Sequence, residues 1–400
     1  MTNLPRASSP AGALRAIAFY LPQFHPVPEN DEWWGKGFTE WTNVTKASPL
    51  FKWHYQPHLP SDLGFYDLRL SEVRELQAAL AREYGISGFC YYHYWFHGRR
   101  MLERPFNEVL ASGRPDFPFC LCWANEHWSR NWDGEFKKLL LEQTYSEEDD
   151  RNHIRWLMTA FRDKRYIRVN GRPLMIIYRT KNLPSAPRTA EIWREECRNG
   201  GIGEIYLCQV ESVGGEKGAP ETSGFDANIE FQPSYSELGA PLKRGKGWDL
   251  LRKLRLSDRV YHEQILFNYA DIVEKMLARE KPSYKRYPCV TPSWDNCARR
   301  KRHAVILKGS TPESYEKWLS GVIRQFAPYS KEENLLFINA WNEWAEGNHL
   351  EPCQKWGHSY LKATKKALGE TSGRLIQSAG RGIQQESHLN ENAKTRHDVY

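Results

Sequence analysis

Eight short apolar segments, separated along the chain by helical patterns, constrain this sequence more than any other feature. In chain order they are Ala16–Tyr20, Gly88–Tyr92, Phe119–Trp123, Leu174–Tyr178, Ile205–Val210, Asp226–Phe231, Tyr287–Thr291 and Leu335–Ala340. Each segment is rich in β-forming residues and too short for an independent helix. Because their apolar character is nearly continuous, we expect parallel strands that are covered on both faces. The sixth segment is the weakest, since Asp226 and Asn228 interrupt it.

Helical patterns lie between many of these segments. Ser71–Tyr84 has apolar side chains at helical spacing, and Ser71 is its expected N-cap. Further helices are expected after Ser146, near Arg188 and from Thr311. Strands that alternate with helices indicate βαβ units. We therefore predict the α/β class and a single (β/α)8 TIM-type barrel with long, aromatic-rich loops after the strands. An open doubly wound sheet is the alternative.

The 400-residue chain fits one barrel domain. We assign residues 15–368 to a catalytic barrel, 1–14 to a flexible arm and 369–400 to a flexible tail, because the termini have little apolar surface to repay ordering. The first residues lack the apolar core of a secretory signal and no stretch is long enough to span a membrane, which favours a cytoplasmic location. The 8 cysteines are expected to be reduced structural thiols.

Aromatic and carboxylate residues follow several of the predicted strands. In a β/α barrel the active site lies at this end of the strands. Aromatic faces stack on sugar rings and carboxylates bind hydroxyl groups, so together they indicate a carbohydrate site. Core or loop packing is the alternative for each tryptophan taken alone. The residues that we expect to bind substrate are Tyr20, Gln23, His25, Trp41, Tyr92, His93, Trp95, Trp123, Asn125, Glu126, Glu211, Glu230, Trp294, Asp295, Trp341 and Asn342.

Two glutamates after the eighth segment lead to the catalytic prediction. Glu343 and Glu346 are three residues apart, a spacing that turns both side chains toward one cleft within a helical turn. Glycoside cleavage uses one carboxyl group as acid and another as base or nucleophile, and like charges close together raise one pKa. We therefore predict this pair as catalytic; a capping or ion-pairing role for one of them is the alternative. Reserve candidates for proton transfer are Glu126, Glu211, Glu230 and Asp295.

The sequence lacks the motifs that are typical of metal-dependent and nucleotide-binding proteins. It has neither His-Glu-x-x-His nor paired Cys-x-x-Cys, and it has no glycine-rich phosphate loop and no Asp-x-Asp. We therefore predict no metal and no cofactor. The net charge of +7 is modest for this length and does not indicate a nucleic-acid partner.

Basic residues form two runs. The run Arg299–Arg302 follows the seventh segment, and loops after strands 7 and 8 of barrels often bind phosphate. The partner that we expect is an oligo- or polysaccharide, either anionic or carried on a diphosphate-linked lipid, with at most peripheral membrane contact. Solvated faces are the alternative for both runs. The first run comprises Lys243, Arg244, Lys246, Arg252, Lys253 and Arg255.

Several motifs together resemble the bacterial WbsX-type proteins, which are related to the endo-α-mannosidases of glycoside hydrolase family 99. The resemblance covers about residues 15 to 365. WbsX-type proteins are named as glycosyltransferases and are associated with surface polysaccharides such as O-antigen. The motifs are Ala18–His25, Trp33–Gly35, Trp41–Asn43, Tyr55–His58, Gly88–Trp95, Trp123–Glu126 and Asn342–Gly347.

This resemblance implies a (β/α)8 fold without a required metal. In family 99 the last motif reads Asn-Glu-Trp-His-Glu-Gly; its first Glu deprotonates the sugar 2-hydroxyl and its second is the acid, then the base. Carried over, these roles go to Glu343 and Glu346. Ala345 stands where the family has His, which affects subsite contacts and the preference for mannose. The expected function is glycosidic-bond cleavage or transfer in surface-polysaccharide metabolism. The alternatives are a glycosyltransferase with an activated sugar donor and a non-catalytic glycan-binding barrel.

Overall fold

The computed structural model describes residues 12–129, 139–212, 217–242, 264–300 and 302–369. Parallel strands form a ring around an apolar centre, and every predicted strand segment is present. The strands are β1 Arg15–Tyr20, β2 Ile86–Phe96, β3 Phe119–Trp123, β4 Arg172–Ile177, β5 Tyr206–Glu211, β6 Ala227–Glu230, β7 in two pieces at Arg286–Tyr287 and Cys289–Val290, and β8 Leu335–Ile338.

The ring closes through β7. Its first piece pairs with β6 at Asn228 and Arg286, and its second piece pairs with β8 at Cys289 and Phe337. Pro288 divides the two pieces because a proline has no backbone N–H to continue the ladder. Strand β8 in turn pairs with β1. The sheet path thus runs through nine parallel segments of one barrel, which confirms the predicted fold class and excludes the open sheet.

Helices alternate with the strands and cover the barrel. The connection from β5 to β6 is the exception, because its described part contains only the 3-10 turn Pro220–Ser223. The helices are α1 Pro28–Trp34, α2 Glu40–Lys46, α3 Ser71–Glu83, α4 Arg104–Ser112, α5 Glu147–Phe161, α6 Ala186–Asn199, α7 Tyr269–Ala278, α8 Pro312–Gln325 and α9 359–369.

Helix capping agrees with the sequence in two places and differs in one. Ser146 and Thr311 accept hydrogen bonds from backbone N–H groups in the first turns of α5 and α8. The prediction that Ser71 caps α3 is wrong: Ser71 is the first helical residue and Leu70 is the N-cap. The Ser71 hydroxyl donates to the Glu72 carboxylate instead, so it does not satisfy a backbone donor.

Phe19 marks the centre of the barrel. Its ring lies 5.4 Å from Phe231, 5.7 Å from Tyr92 and 5.8 Å from Phe337, so side chains from β1, β2, β8 and the residue after β6 fill the interior. All eight cysteines are free thiols and all but Cys297 are buried, as predicted. None of the described helices is long and apolar enough to cross a bilayer. The predicted arm and tail and the basic run within 243–255 lie outside the described residues, apart from 12–14 and 369.

Candidate active site

A cleft of about 430 Å³ opens at the carboxyl ends of the strands, where the sequence predicted the site. Aromatic side chains, carboxylates and arginines line it together, which is the composition expected of a carbohydrate site. Its lining includes Gln23, Trp33, Trp34, Tyr92, Tyr94, Glu126, Trp128, Tyr178, Arg179, Tyr235, Trp294, Arg299, Arg300, Glu343 and Glu346.

A tight hairpin after β8 presents the two predicted catalytic glutamates. Asn342–Glu343 pairs antiparallel with Asn348–His349, and the 3-10 turn Trp344–Glu346 joins them. A 3-10 turn brings residues three apart onto one side, so both carboxylates reach the cleft. Gly347 ends the turn at φ 56°, and a Cβ there would lie 3.0 Å from the Asp295 Cβ. Glycine is therefore required where the hairpin meets the loop after β7.

Arg299 joins three carboxylates in the cleft. Its Nη2 lies 2.9 Å from Glu343 Oε2, its Nη1 2.8 Å from Glu346 Oε1 and its Nε 2.7 Å from Glu40 Oε1. The guanidinium is 12% exposed, and the Glu40 side chain is fully buried in the first turn of α2. Sequence reasoning missed Glu40 and placed Arg299 within a solvated or phosphate-binding run. The five donors of a guanidinium explain why one arginine can contact all three acids.

One guanidinium cannot neutralise three buried carboxylates, so the cluster favours a bound proton. Burial raises the pKa of Glu343 to about 8; Arg299 opposes the rise, and the charges of Glu346 and Glu40 add to it. Burial also raises the pKa of Glu346, with Arg299 again opposing. The Glu343 side chain is 7% exposed and that of Glu346 20%. Near neutral pH the pair therefore holds a proton that favours the more buried Glu343, and it presents both an acid and a carboxylate.

Asp295 fixes the position of the loop beside Glu346. Its backbone N–H donates to the Glu346 carbonyl oxygen at 2.6 Å, while its carboxylate accepts from His54 Nε2 at 2.6 Å and from Gln56 Nε2 at 2.8 Å. Burial opposes ionisation of Asp295, but the hydrogen bonds that its carboxylate accepts from His54 and Gln56 lower its pKa overall. Asp295 is thus held as an anion by residues of the loop after β1.

His54, Asp295 and Cys297 place possible metal-binding atoms within 4.8 Å of one another. The hydrogen bonds of His54 do not fit a metal, however. The Leu50 backbone N–H donates to His54 Nδ1 at 3.0 Å, so the neutral ring carries its proton on Nε2. A metal-bound histidine normally donates from the nitrogen that does not bind the metal, and here that nitrogen faces another donor. Among the described residues this cluster therefore fits a hydrogen-bond network better than a metal site.

A second charged pair lies across the cleft. Arg179 Nε lies 2.9 Å from Glu126 Oε1, and its Nη1 donates to the Ser212 hydroxyl at 2.7 Å. Asn125 holds the backbone of Arg179 by accepting from its N–H at 2.8 Å and donating to its carbonyl oxygen at 2.8 Å. Glu126 thus lines the cleft, whereas Asn125 supports the backbone of the cleft residue Arg179.

Several known proteins resemble this chain in sequence or in fold. A model of the glycosyltransferase WbsX family matches residues 16–364. The chain belongs to this family. Two relatives from Xanthomonas campestris pv. campestris, strains B100 and ATCC 33913, are each described as an uncharacterized protein WxcX and are 44% identical over 353 residues. The match covers 88% of this chain but 49% of each relative, so the chain spans about half the length of these curated relatives.

Solved structures of two carbohydrate-related proteins share the fold of this WbsX-family chain. A glycoside hydrolase-like protein aligns over 92% of this chain and 97% of its own, with a TM-score of 0.54 and 15% identity. A GH99 endo-alpha-mannosidase from Bacteroides thetaiotaomicron, in complex with BIS-TRIS-Propane, aligns over 91% and 98%, with a TM-score of 0.51 and 13% identity. The predicted family is confirmed, and the two solved structures, including a GH99 endo-alpha-mannosidase, share the predicted barrel fold.

In this WbsX-family chain, the side chains of β2 alternate between the two faces of the strand, which decides which of its aromatic residues line the cleft. Successive side chains of a strand point to opposite faces. Tyr92 and Tyr94 line the cleft, whereas His93 and Trp95 pack behind the strand against α5. There, His93 Nε2 lies 2.9 Å from His153 Nε2, and Trp95 Nε1 donates to the Asp149 carboxylate at 3.0 Å. Sequence reasoning selected Tyr92 but missed Tyr94, although two-residue periodicity could have found it.

Of the predicted substrate-binding residues, Gln23, Tyr92, Glu126 and Trp294 line the cleft. The other predicted residues lie outside the cleft. Their side chains face the helix layer, form hydrogen bonds with the backbone or pair with buried charges. Asn342, for example, accepts from Leu21 N–H at 2.7 Å and so joins the hairpin of Glu343 and Glu346 to the loop after β1. The residues that the structure places outside the cleft are Tyr20, His25, Trp41, His93, Trp95, Trp123, Asn125, Glu211, Glu230, Asp295, Trp341 and Asn342.

Two further reserve carboxylates, besides Glu126, have cationic partners. Glu211 pairs with Arg286 at 3.2 Å, and Glu230 pairs with Arg279 at 2.8 Å. Burial raises the pKa of Glu230 to about 7 although Arg279 opposes the rise. Neither residue lines the cleft, so Glu126, Glu343 and Glu346 are the predicted carboxylates that do.

Proposed function

We propose that this protein cleaves or transfers glycosidic bonds of an acidic surface polysaccharide, with Glu343 and Glu346 as its catalytic pair. One observation carries the proposal: both carboxyl groups face one aromatic-lined cleft and contact the same arginine. Because Arg299 compensates only part of their charge, the pair holds a proton at neutral pH, which acid–base chemistry on a glycosidic oxygen requires.

The proposed reaction begins with one protonated and one ionised carboxyl group. The ionised group accepts the proton of the sugar 2-hydroxyl, whose oxygen attacks the anomeric carbon as the protonated group donates to the leaving oxygen, as the family 99 resemblance implies. The group that gave up its proton then accepts one from water or an acceptor hydroxyl, whose oxygen bonds to the anomeric carbon and displaces the 2-oxygen. That resemblance makes Glu346 the acid, whereas the deeper burial of Glu343 favours the proton on Glu343. We infer that substrate binding moves this proton from Glu343 to Glu346.

A second arginine in the cleft, Arg300, favours an acidic substrate. Arg300 lines the cleft, and within the described residues its guanidinium has no hydrogen-bond or ion-pair partner. Its charge lowers the pKa of Glu346, so the two groups interact electrostatically. A sugar carboxylate or phosphate held by Arg300 would place the neighbouring glycosidic bond near the glutamates.

The test is product analysis in the absence of any nucleotide sugar. The purified protein is incubated with a panel of acidic and neutral bacterial surface glycans, and product masses are followed beside the near-isosteric Glu346→Gln variant. We expect shortened or rearranged acidic glycans with the parent protein and none with the variant. Equal products from both proteins would refute the role of Glu346.

A glycosyltransferase that uses an activated sugar donor is the second candidate, since the matching family is described as a glycosyltransferase. It predicts glycan extension only after a nucleotide sugar or lipid-linked sugar is supplied. Product formation without a donor would exclude it for the tested substrates. For both candidate functions we propose a cytoplasmic location with at most peripheral membrane contact. Fractionation of the native cell would check this location.

A further inference from the structure

A second pocket of about 300 Å³ lies behind the catalytic hairpin and uses none of the residues assigned to catalysis. Trp294 lines both this pocket and the cleft, so the two cavities share one wall. Gly347, which follows Glu346 directly, also lines it. We call this cavity the rear pocket.

Aromatic rings form much of the rear pocket. Trp53 is 88% exposed, and its backbone lies at φ 68°, a region that a bulky residue adopts at a cost. Tyr55 and Trp356 face the same space. An exposed indole held on a strained backbone contributes little to the core, and it offers a flat surface on which a sugar ring can stack.

Cations accompany these rings. Lys355 Nζ lies 4.6 Å from the Tyr55 ring centre and 4.9 Å from that of Trp356, and Lys308 Nζ lies 5.8 Å from that of Phe51. Neither lysine pairs with a carboxylate in the part of the chain that the structure describes. Asp295, the acid lining the pocket, is already bonded to His54 and Gln56. The rear pocket therefore combines ring surfaces with available positive charge.

A histidine pair adds a hydrogen-bond acceptor. His349 Nδ1 lies 2.8 Å from the Glu351 carbonyl oxygen, which can only accept, so His349 carries its proton there. Burial keeps the pKa of His349 well below its usual value, so the ring is neutral and its Nε2 accepts from His58 Nδ1 at 3.0 Å. Burial also lowers the pKa of His58 to about 4. His58, which lines the pocket, thus retains an unprotonated Nε2 that can accept from a sugar hydroxyl.

The geometry points to a second glycan-binding site: the rear pocket holds a negatively charged sugar unit against Trp53 and Trp356, with Lys355 facing its acid group. This inference rests on the proposed function, because it takes the acidic polysaccharide of the cleft as the occupant. The shared wall at Trp294 favours that occupant, since a glycan bound in the cleft already lies beside the pocket.

Affinity electrophoresis through gels that contain polygalacturonate or dextran tests the site without turnover. All proteins carry Glu346→Gln, so a failure of the catalytic proposal leaves this test intact. We expect retention by polygalacturonate and weak retention by dextran. Trp53→Ala and Lys355→Ala should each weaken binding about fivefold, because each removes one ring or charge contact. Lys365→Ala is the matched control, since Lys365 lies 5.7 Å from the Tyr84 ring outside the pocket.

Three results would overturn the inference. The first is no retention of the parent protein by polygalacturonate. The second is retention of both pocket variants at the parent level. The third is equal retention by dextran, which would remove the role of charge. Glucuronate, but not glucose, should compete with the polymer if Lys355 recognises the acid group.

Discussion

Arg299 and Glu346 form an ion pair at 2.8 Å that links the loop after β7 to the catalytic hairpin after β8. The same guanidinium contacts Glu343 and Glu40, so one residue links three carboxylates and lowers the pKa of both Glu343 and Glu346. The arrangement explains how three acids can be buried together and still leave one proton available for chemistry.

Replacing this arginine should alter both rate and pH dependence. Arg299→Lys keeps a positive charge, but an ammonium group cannot contact three carboxylates in the geometry of a guanidinium. We expect product formation to fall about 100-fold, equivalent to ~3 kcal/mol of barrier. Because Arg299 lowers the pKa of both catalytic glutamates, its loss should move the alkaline limb of the pH profile upward. Arg324→Lys in α8 is the control, and an unchanged profile in Arg299→Lys would contradict the assignment.

Glu343 should make folding less stable as the pH rises. Its pKa is raised from 4.5 to about 8 in the folded protein, so between these values the folded state binds more protons than the unfolded state. Stability therefore falls with increasing pH through this window. Glu343→Gln removes the penalty and should be more stable than the parent by about 1–2 kcal/mol at pH 8, with a smaller difference at pH 5.

Denaturant unfolding at several pH values measures this effect. Glu280→Gln, an exposed position, serves as the control for removing a carboxylate. A difference between Glu343→Gln and the parent that stays constant from pH 5 to pH 8 would be incompatible with a raised pKa.

Adjacent aromatic residues of β2 should separate function from stability. Trp95→Phe leaves the buried Asp149 carboxylate without its indole donor, so it should cost about 1–3 kcal/mol of stability while KM is retained. Tyr94→Phe removes a hydroxyl that faces the cleft and should raise KM, with a stability change within about 0.5 kcal/mol. Urea unfolding and product kinetics on both variants make the comparison, and the reverse pattern would show that the strand faces are assigned wrongly.

The histidine pair behind β2 should make the fold sensitive to acid. Burial lowers the pKa of His93 to about 3 and that of His153 well below its usual 6.5. The unfolded state therefore binds more protons below pH 6.5, and stability is lost as the pH falls from there toward the folded values. His153→Gln should reduce this loss by about 1–2 kcal/mol between pH 7 and pH 5. His303→Gln, at an exposed position, is the control for removing an imidazole.

The apolar segments and helix signals were sufficient to predict the barrel. Eight near-continuous apolar runs require strands covered on both faces, and residues such as Ser146 and Thr311 mark helix starts through a local hydrogen bond. The catalytic hairpin was equally local, because three-residue spacing in one turn places Glu343 and Glu346 on one side. Such features depend on the chain within a few residues, which a single sequence displays.

Contacts between distant segments were not predictable in the same way. Glu40 and Arg299 are 259 positions apart, and no motif around either residue predicts their contact. Asp295 and Asn342 follow strands as catalytic residues do, yet their hydrogen bonds go to His54 and Leu21 within the scaffold. A residue at the carboxyl end of a strand lies at the rim of the barrel, but the packing of the loops decides whether its side chain reaches the cleft.

The sequence by itself determined the strand and helix order and the placement of Glu343 and Glu346 on one side of a turn after the last strand, because periodicity and short spacing fix these locally. Only the tertiary structure decided that Tyr94 faces the cleft while Trp95 faces α5, that Arg299 is buried among three acids and that Trp294 separates two cavities. These outcomes depend on how barrel closure brings remote loops together, and on the cost of leaving charge unpaired once water is excluded.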